Sequence, residues 1–395
     1  MLSYSKTEEL RNNNFLTKGI TFLLAIAGGL LVANLYYNQP LLSEIADTFK
    51  VTSQEAGLIS TFTQLGYALG IFLLVPLGDI KEKRRLILVL TFLVIISLIG
   101  VATAQNLIWI YIASFIVGLT TVSPQIITPL AAQLARPEER GKVVGTVVSG
   151  LLFGILLART VSGYIGYIAG WRFMFIFAAI LMFLLDIILY FKLPVTTSNE
   201  NLTYKELIKS VIKIAHKYKT LRYVSISGSM LFGAFSMFWT TLTFFLEGSP
   251  YYMHSNQIGL FGLLGAAGAL GAPIIGRLND KRNPKIVAVI CSGIAIISYM
   301  IFYFFGMNIL GLILGVILLD LGIQGAQVSN QTRIYSLNQD ERSRINTIFV
   351  VSNFIGAAVG SSLGSLAWNL YNWSGVCIAG LIMIVIALVT SMLSD

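Results

Sequence analysis

Stretches free of Asp, Glu, Lys and Arg recur along the whole chain: Gly19–Ser43, Ala56–Gly78, Leu86–Ala135, Tyr223–Leu246, Gly248–Gly276, Ile286–Leu319 and Ile345–Ser394. A helix needs about 20 apolar residues to cross the roughly 30 Å of bilayer hydrocarbon. Several runs hold two crossings, with Gly, Asn or Gln marking the turn, as at Gln105-Asn106 and Met307-Asn308. The pattern predicts twelve spans, near 18–42, 53–78, 86–104, 107–135, 143–168, 171–193, 223–247, 256–279, 286–306, 308–336, 345–370 and 373–393. Barrel strands would alternate in polarity, and these runs do not. The expected fold class is an all-α membrane protein of twelve transmembrane helices.

Composition sharpens this. Of the 395 residues 56% are hydrophobic and 11% charged, with a mean hydropathy of +0.79. A soluble domain carries about 25% charged residues, so soluble enzymes and disordered chains are excluded. The net charge of +9 is distributed by topology. Lys6, Arg11 and Lys18 precede span 1; Lys81, Lys83, Arg84 and Arg85 follow span 2; Arg136, Arg140 and Lys142 follow span 4. Further basic residues crowd the 192–222 stretch, Lys281–Lys285 and Arg342–Arg344, against Lys50 and Arg172 in connections on the opposite side. The positive-inside rule then places both termini in the cytoplasm, and no nucleic-acid partner is expected. The first apolar run is too long for a cleaved signal peptide. Cys291 and Cys377 fall inside spans, where they read as small hydrophobes. No metal-ligand spacing, nucleophile–base pair or cofactor motif is present, so neither a cofactor nor an enzyme activity is expected.

The chain also repeats itself. Gly57-Leu58 matches Gly259-Leu260, Gln125 matches Gln327, Arg140 matches Arg342 and Trp171 matches Trp373, each 202 residues on. Asp79 and Asp280 follow the same register with a gap of one. The expected organisation is therefore a cytoplasmic N-terminus (1–17), a six-helix half (18–193), a linker (194–222) and a second six-helix half (223–395). Within the linker, Thr203-Tyr-Lys-Glu206 is a capping box. Lys205, Lys209, Lys213 and Lys217 lie opposite Leu207, Val211 and Ile214, predicting an amphipathic helix on the membrane surface. Glycines at three- and four-residue spacing mark spans 2, 5, 8 and 11 (Gly66/Gly70, Gly150/Gly154, Gly262/Gly265/Gly268/Gly271 and Gly356/Gly360/Gly364). They are expected to be where the halves slide on one another, across 2/11 and 5/8.

The loop after span 2, Pro76-Leu-Gly78-Asp79-Ile-Lys-Glu-Lys-Arg84-Arg85, and its partner Gly276-Arg-Leu-Asn-Asp280-Lys-Arg-Asn-Pro-Lys285 resemble the Gly-x-Leu-x-Asp-Arg-x-Gly-Arg-Arg motif of the major facilitator superfamily. The resemblance covers essentially the whole chain. Asn34-Leu-Tyr-Tyr-Asn-Gln-Pro-Leu-Leu42 in span 1 resembles the bacterial drug:proton antiporter-like permeases of that superfamily. It implies the major facilitator fold, a bacterial cytoplasmic membrane location, and a cytoplasmic gate built on Gly78, Asp79, Arg84, Arg140, Gly276, Asp280 and Arg342. The alternative for these charges is simple topology anchoring. The match has departures. Val75 and Glu82 replace two motif glycines, and Ser114 stands where family exporters often carry Arg. The span 5 antiporter motif reads Gly150-x-x-x-Gly154-Ile155-x-x-Ala158-Arg159, without its Pro and last Gly.

Ionisable groups inside the hydrocarbon cost at least about 2.5–3.5 kcal/mol and usually face a cavity or a partner. There are three: Arg159 in span 5, Asp186 in span 6 and Asp320 in span 10. Asp320 falls near the midplane, a place for proton coupling or substrate contact, against a structural hydrogen bond to Gln324 or a neighbouring helix. Arg159 falls in the outer half of the membrane and suits an anion or a gate, against a fixed bracket to Asn34 or Tyr37. The remaining cavity candidates are Asn34, Tyr37, Asn38 and Gln39 on span 1, Thr121 and Gln125 on span 4, Phe238 and Trp239 on span 7, and Gln324 and Gln327 on span 10, with packing the alternative role of each. The expected function is secondary active transport of small organic solutes by alternating access, as proton-coupled efflux of drug-like or metabolite compounds by a monomer in the bilayer. The alternatives are a facilitator or importer of a small organic anion, and a non-transporting membrane sensor.

Overall fold

The computed structural model describes residues 17–195, 203–269, 271–338 and 341–394. Lys6 and Arg11 of the first basic cluster lie outside them. Among the described residues every regular element is a helix: α1 (Lys18–Ala33), α2 (Leu42–Phe49), α3 (Ser53–Leu74), α4 (Leu77–Ile80), α5 (Lys83–Ala102), α6 (Leu107–Thr120), α7 (Ser123–Leu134), α8 (Arg140–Ala169) and α9 (Trp171–Lys192) form the first half. A surface helix α10 (Tyr204–Lys217) follows. The second half comprises α11 (Lys219–Glu247), α12 (Ser255–Ala269), α13 (Ala272–Lys281), α14 (Pro284–Phe305), α15 (Ile309–Tyr335) and α16 (Arg342–Leu393). Nine described stretches are long and apolar enough to cross a membrane; one is the 52-residue α16, bent at Asn372.

The expected continuous first span is broken. α1 stops at Ala33, where the Asn34 amide Nδ2 donates to the Leu30 and Leu31 carbonyls and so caps the helix end. A turn follows, then a 3₁₀ turn over Gln39–Leu41 with Pro40 inside it, before α2 begins. Span 4 breaks between α6 and α7, where Pro124 sits in the first turn of the new helix. Span 8 breaks between α12 and α13, with a Pro again in the first turn. Irregular backbone at membrane depth is tolerated where protein covers it or a cavity lines it, so these breaks point to the functional region.

Elsewhere the duplication shows as shared local chemistry. Glu82, a departure from the loop motif, accepts from the Arg84 and Arg85 amides and caps α5. Asn283 accepts from the Lys285 amide and caps α14 in the second copy. Gly170 (φ 84°) and Asn372 (φ 52°) turn the chain just before Trp171 and Trp373. Positive φ is accessible mainly to Gly and Asn, which is why the repeat tolerates this pair there. Each half has its own apolar core, one around Leu24, Tyr67, Leu98 and Met174, the other around Phe238, Phe302, Leu319 and Trp373. The α10 capping box forms, and Leu207, Val211 and Ile214 are buried. Tyr204 Oη donates to the Leu73 carbonyl at the end of α3, while Lys217 pairs with Glu341 at 3.0 Å beside the start of α16. The linker helix thus ties both halves on one side of the molecule, termed the terminal side; the opposite side is termed distal.

The halves meet as α3 on α16 and α8 on α12, with α11 against the 3₁₀ turn and α2. The pairings are those expected, but most of the spaced glycines serve a different purpose. Gly66 and Gly70 abut the backbone of Phe115 and Leu119 on α6, Gly150 and Gly154 abut Ala25 and Gly29 on α1, and Gly356 and Gly360 abut Ser229 and Gly233 on α11. All of these contacts lie within one half. A bare glycine face reports close approach without saying to which helix. Between the halves the close approaches include Gly57, whose Cβ would lie 1.8 Å from Ser365 Oγ, and Gly163, whose Cβ would lie 2.2 Å from the Ser255 carbonyl, with Gly259 and Gly262 of α12 also abutting α8. Ser43 donates to Glu247, the Thr243 hydroxyl to the Pro40 carbonyl (3.4 Å) and Asn369 to Gln54 (3.3 Å), all across the distal side. On the terminal side Gly141, Gly145 and Gly276 face open space. The arrangement is sealed distally.

Gly163→Val drives two methyl groups into the α12 backbone and should prise the distal side apart. Spin labels at the partly exposed Gln54 and the exposed Asn369 should separate by several Å in pulsed electron–electron distance measurements; an unchanged distance would mean that this close approach does not hold the seal. A second expectation concerns Glu44 on α2, beyond the end of span 1. Its carboxyl is half-buried and pushed above the usual carboxylate range, first by desolvation and then by the neighbouring Glu247 and Asp47, with His254 also beside Glu247. A raised acid pKa means that the closed form holds the proton more tightly. Closure should therefore be firmest below the ordinary Glu pKa of about 4.3 and weaken as pH rises through and above it. Glu44→Gln should flatten that dependence in the same distance measurement, and an undiminished slope would assign it to other groups.

Candidate functional site

Arg159 lies on α8 beside the break that follows α1 and is 2% exposed. Its Nε donates to Gln39 Oε1 at 2.7 Å and its Nη1 to the carbonyl of Ile155 at 3.4 Å. The guanidinium stands 4.0 Å over the Trp239 ring, 4.9 Å from Tyr36 and 5.7 Å from Phe235. Tyr36 comes from the first half and the other two rings from α11, so the charge is caged at the junction of the halves. Stacking on a desolvated aromatic face contributes up to about 2 kcal/mol, which offsets only part of the burial cost. The Arg159 Nη2 and the Trp239 Nε1 are buried without a hydrogen-bond partner. Gln39, Pro40, Arg159, Trp239, Leu242, Thr243 and Ile258 enclose a crevice of about 10 Å³, room for a single water.

Asp320 on α15 is also 2% exposed, and its Oδ2 has no partner among the described residues. No bond to Gln324 is seen. Asp320 and Arg159 are near enough for their charges to attract, yet they form no ion pair within 4 Å. The α12 glycines run between them. A Cβ on Gly259 or Gly262 would meet Arg159 or its carbonyl at 2.6–3.1 Å, and one on Gly265 or Gly268 would meet Asp320 at 2.7–3.0 Å. A side chain at Gly259 or Gly262 would push on the α8 backbone and the Arg159 Cβ, and one at Gly265 on the Asp320 carboxylate.

The other sequence candidates scatter around this pair. Trp239 and Gln39 touch Arg159 directly. Asn38 donates to Thr63 (3.2 Å) and accepts from Ser60 (3.2 Å) inside the first half. Asn34 is used in capping α1 and also reaches Met182, and Tyr37 borders an apolar groove between α1, α8 and α9. The bracket expected between Arg159 and one of those two residues goes to Gln39 instead. Thr121 donates to its own helix at Val117, Gln125 to Tyr67 Oη (3.2 Å), and Gln327 accepts from Asn353 (3.1 Å). Phe238 is stacked on Phe302 at 4.5 Å within the second core. Asp186 is half-buried on α9.

On the terminal side, Gly78 is buried while Asp79, Arg140, Asp280 and Arg342 are exposed. Arg342 donates to the Tyr335 carbonyl, and Arg84 both donates to the Tyr190 carbonyl and stacks on that ring at 5.3 Å. Sequence reasoning passed over Gln64, which joins the halves at the midplane. It donates to Ser236 and accepts from Ser361 (3.1 Å), and Ser361 in turn bonds Ser236 (2.8 Å) and Thr240 (2.9 Å). An amide in an apolar span, with no lipid-side partner available, was the clue. Among the described residues no group of His, Cys, Asp and Glu could hold a metal.

Two helical halves with separate cores, joined by a surface helix and meeting at buried charge near the midplane, define a multi-pass membrane transporter. The comparisons with known proteins agree. The sequence profile described as Major Facilitator Superfamily matches residues 24–338 and 255–394, and the chain belongs to that superfamily. It is 42% identical over 368 residues to the "Uncharacterized transporter YgaY" of Escherichia coli O157:H7, covering 93% of both chains. It is 30% identical to the "Probable transporter SCO4007" of Streptomyces coelicolor, covering 90% of this chain and 83% of that one. A "Probable sugar efflux transporter" of Helicobacter pylori is 25% identical over 82% of each. Among solved structures, a bacterial homologue of the human lysosomal transporter Spinster, inward-facing and occupied, superposes with TM-score 0.76 at 15% identity, covering 95% of this chain and 96% of that one. A point mutant of the nucleoside transporter NupG does so with TM-score 0.76 at 14% identity, covering 94% and 99%. These similarities establish the fold.

Buried ions replaced by apolar or neutral groups of similar size often leave a protein as stable or about 1–4 kcal/mol more so. If the pair is kept for function, the Arg159→Met/Asp320→Asn double variant should melt at or above the wild-type temperature in detergent. A clear drop in melting temperature would mark Arg159 and Asp320 as a structural bracket.

Proposed function

We propose that the protein is a proton-coupled secondary transporter of small organic solutes, exporting them from the cytoplasm through alternating access of its two halves about the Arg159–Asp320 site. The chain would cross the cytoplasmic membrane twelve times, with α16 counted as two spans, α1 with the turn after it as one, α12–α13 as one, and both termini inside. The observation that carries this reading is the pair of oppositely charged side chains, each 2% exposed and each with an unpartnered atom, on helices from different halves. Rocking the halves would change the distance between these charges, so whatever neutralises one of them biases the equilibrium between the two forms. Asp320 is the group that can take up and release a proton; Arg159 stays charged and would hold an acceptor group of the solute. The name of the Helicobacter relative, a sugar efflux transporter, supports the outward direction. The acidic and basic residues of the two loop copies would then act as the cytoplasmic gate. A second reading, a carrier of small organic anions that needs no proton, is favoured by the two unpartnered donors, Arg159 Nη2 and Trp239 Nε1.

The two readings separate in proteoliposomes loaded with a panel of labelled solutes, with and without an imposed proton gradient. Asp320→Asn should abolish gradient-driven accumulation, at least about tenfold below wild type, while downhill exchange continues. Unchanged accumulation would remove Asp320 from the coupling and favour the anion carrier.

A further inference from the structure

Taking the charged pair as the transport site, as proposed above, we infer that the solute is a zwitterion: its carboxylate is received by Arg159 and Trp239, and its ammonium group by Asp320. The unsatisfied atoms carry the inference. At the Arg159 end they are donors, Nη2 of the guanidinium and Nε1 of Trp239; at the Asp320 end the unsatisfied atom is an acceptor, Oδ2. All three belong to residues that are 2–3% exposed, where an unmade hydrogen bond costs about 1–3 kcal/mol and more for a charged group. A neutral solute would satisfy hydrogen bonds but leave both charges uncompensated. A simple anion would leave Asp320 alone, and a simple cation would leave Arg159 alone. A zwitterion compensates both at once.

The glycine ribbon sets the spacing. The backbone carbonyl and Cβ of Arg159 pack at the level of Gly259 and Gly262, and the carboxylate and Cβ of Asp320 at the level of Gly265 and Gly268, so the two side chains are rooted at different heights. Six residues separate these levels, about 9 Å along a helix. The site therefore fits a solute whose two charges are separated by several bonds better than the short dipole of an α-amino acid. The rings of Tyr36, Phe235 and Trp239 surround the guanidinium and would offer an apolar surface to the part of the solute next to its carboxylate. The ammonium group and the proton use the same carboxylate. A proton bound on Asp320 therefore expels the solute and the solute expels the proton, which is exchange by competition.

The test uses the purified full chain and the tryptophan fluorescence of the caged ring. It is titrated with ω-amino acids from glycine to 6-aminohexanoate, with their carboxamides, with their N-acetyl derivatives, and with glucose and arabinose. At least one ω-amino acid should bind, and blocking either of its charged ends should weaken binding about tenfold or more. Asp320→Asn should bind the amine and its N-acetyl form alike while still preferring carboxylate over carboxamide. Equal binding of a blocked derivative or of a sugar, or no binding of any zwitterion, overturns the assignment. Gradient-driven flux of ethidium or of a sugar without zwitterion binding would overturn it while leaving the transporter reading intact. Zwitterion binding with no flux of any solute would keep the ligand assignment and overturn the transport reading instead.

Discussion

An ion buried in a low-dielectric interior has to be compensated, and the centre of this molecule is organised around one that is compensated only in part. Arg159 cannot discharge itself, so its surroundings have to hold the charge: Gln39 and the Ile155 carbonyl accept from it, and three rings face it. What they leave over is one guanidinium nitrogen and the attraction to a carboxylate that is near but not paired, and under the function proposed here a ligand would take up both. A complete ion pair would lock the halves together. A wholly apolar junction would give a ligand nothing to act on. The unfinished state lies between these limits, and under the function proposed here the differential binding behind a two-state change would come from there.

That arrangement depends on how closely backbones approach. The turn after Asn34 brings Gln39 beside α8, which a straight first span would not do. The bare ribbon of α12 lets α8 and α15 reach toward each other from opposite sides. Gly163 and Gly57 bring the halves into contact on the distal side, and Ser43, Thr243 and Asn369 add polar contacts over the top. On the terminal side α10 ties the halves through Tyr204 and Lys217 at its two ends.

Much of this was legible in the chain itself. Charge-free runs fix helices in a bilayer because a chain there has few other ways to satisfy its backbone. Arg159 and Asp320 stood out because ionised groups in such runs are rare and expensive. The capping box at Thr203 and the duplication read through with equal clarity, being local or arithmetic. What could not be read was partner choice. Gln39 rather than Asn34 accepts from Arg159 because the first span breaks one residue after Ala33, and the only warning was a proline six positions later. The spaced glycines signalled close contact, but their spacing is the same whether the neighbour belongs to the same half or the other. Phe238 and Trp239 are adjacent in sequence and point into different environments, one into the core against Phe302 and the other beneath a guanidinium. Neighbouring residues on a helix lie about 100° apart, and composition cannot say which face meets which partner.

The duplication also shows where the chemistry was placed. The position 202 residues after Arg159 is Ser361, and the position 202 residues before Asp320 is Gly118. Neither charge has a charged counterpart, so the two pseudo-equivalent junctions differ. At α3–α16, Ser361 belongs to a neutral cluster with Gln64, Ser236 and Thr240. At α8–α12, Arg159 and, on the adjoining α15, Asp320 keep unpartnered atoms. A neutral cluster already supplied with partners has little to gain from a bound solute or proton, so its energy stays nearly constant through a cycle. A charged junction short of partners changes energy each time a counter-charge arrives or leaves. Under the function proposed here, ligand and proton act at α8–α12, and the α3–α16 contact serves as the fulcrum on which the halves turn.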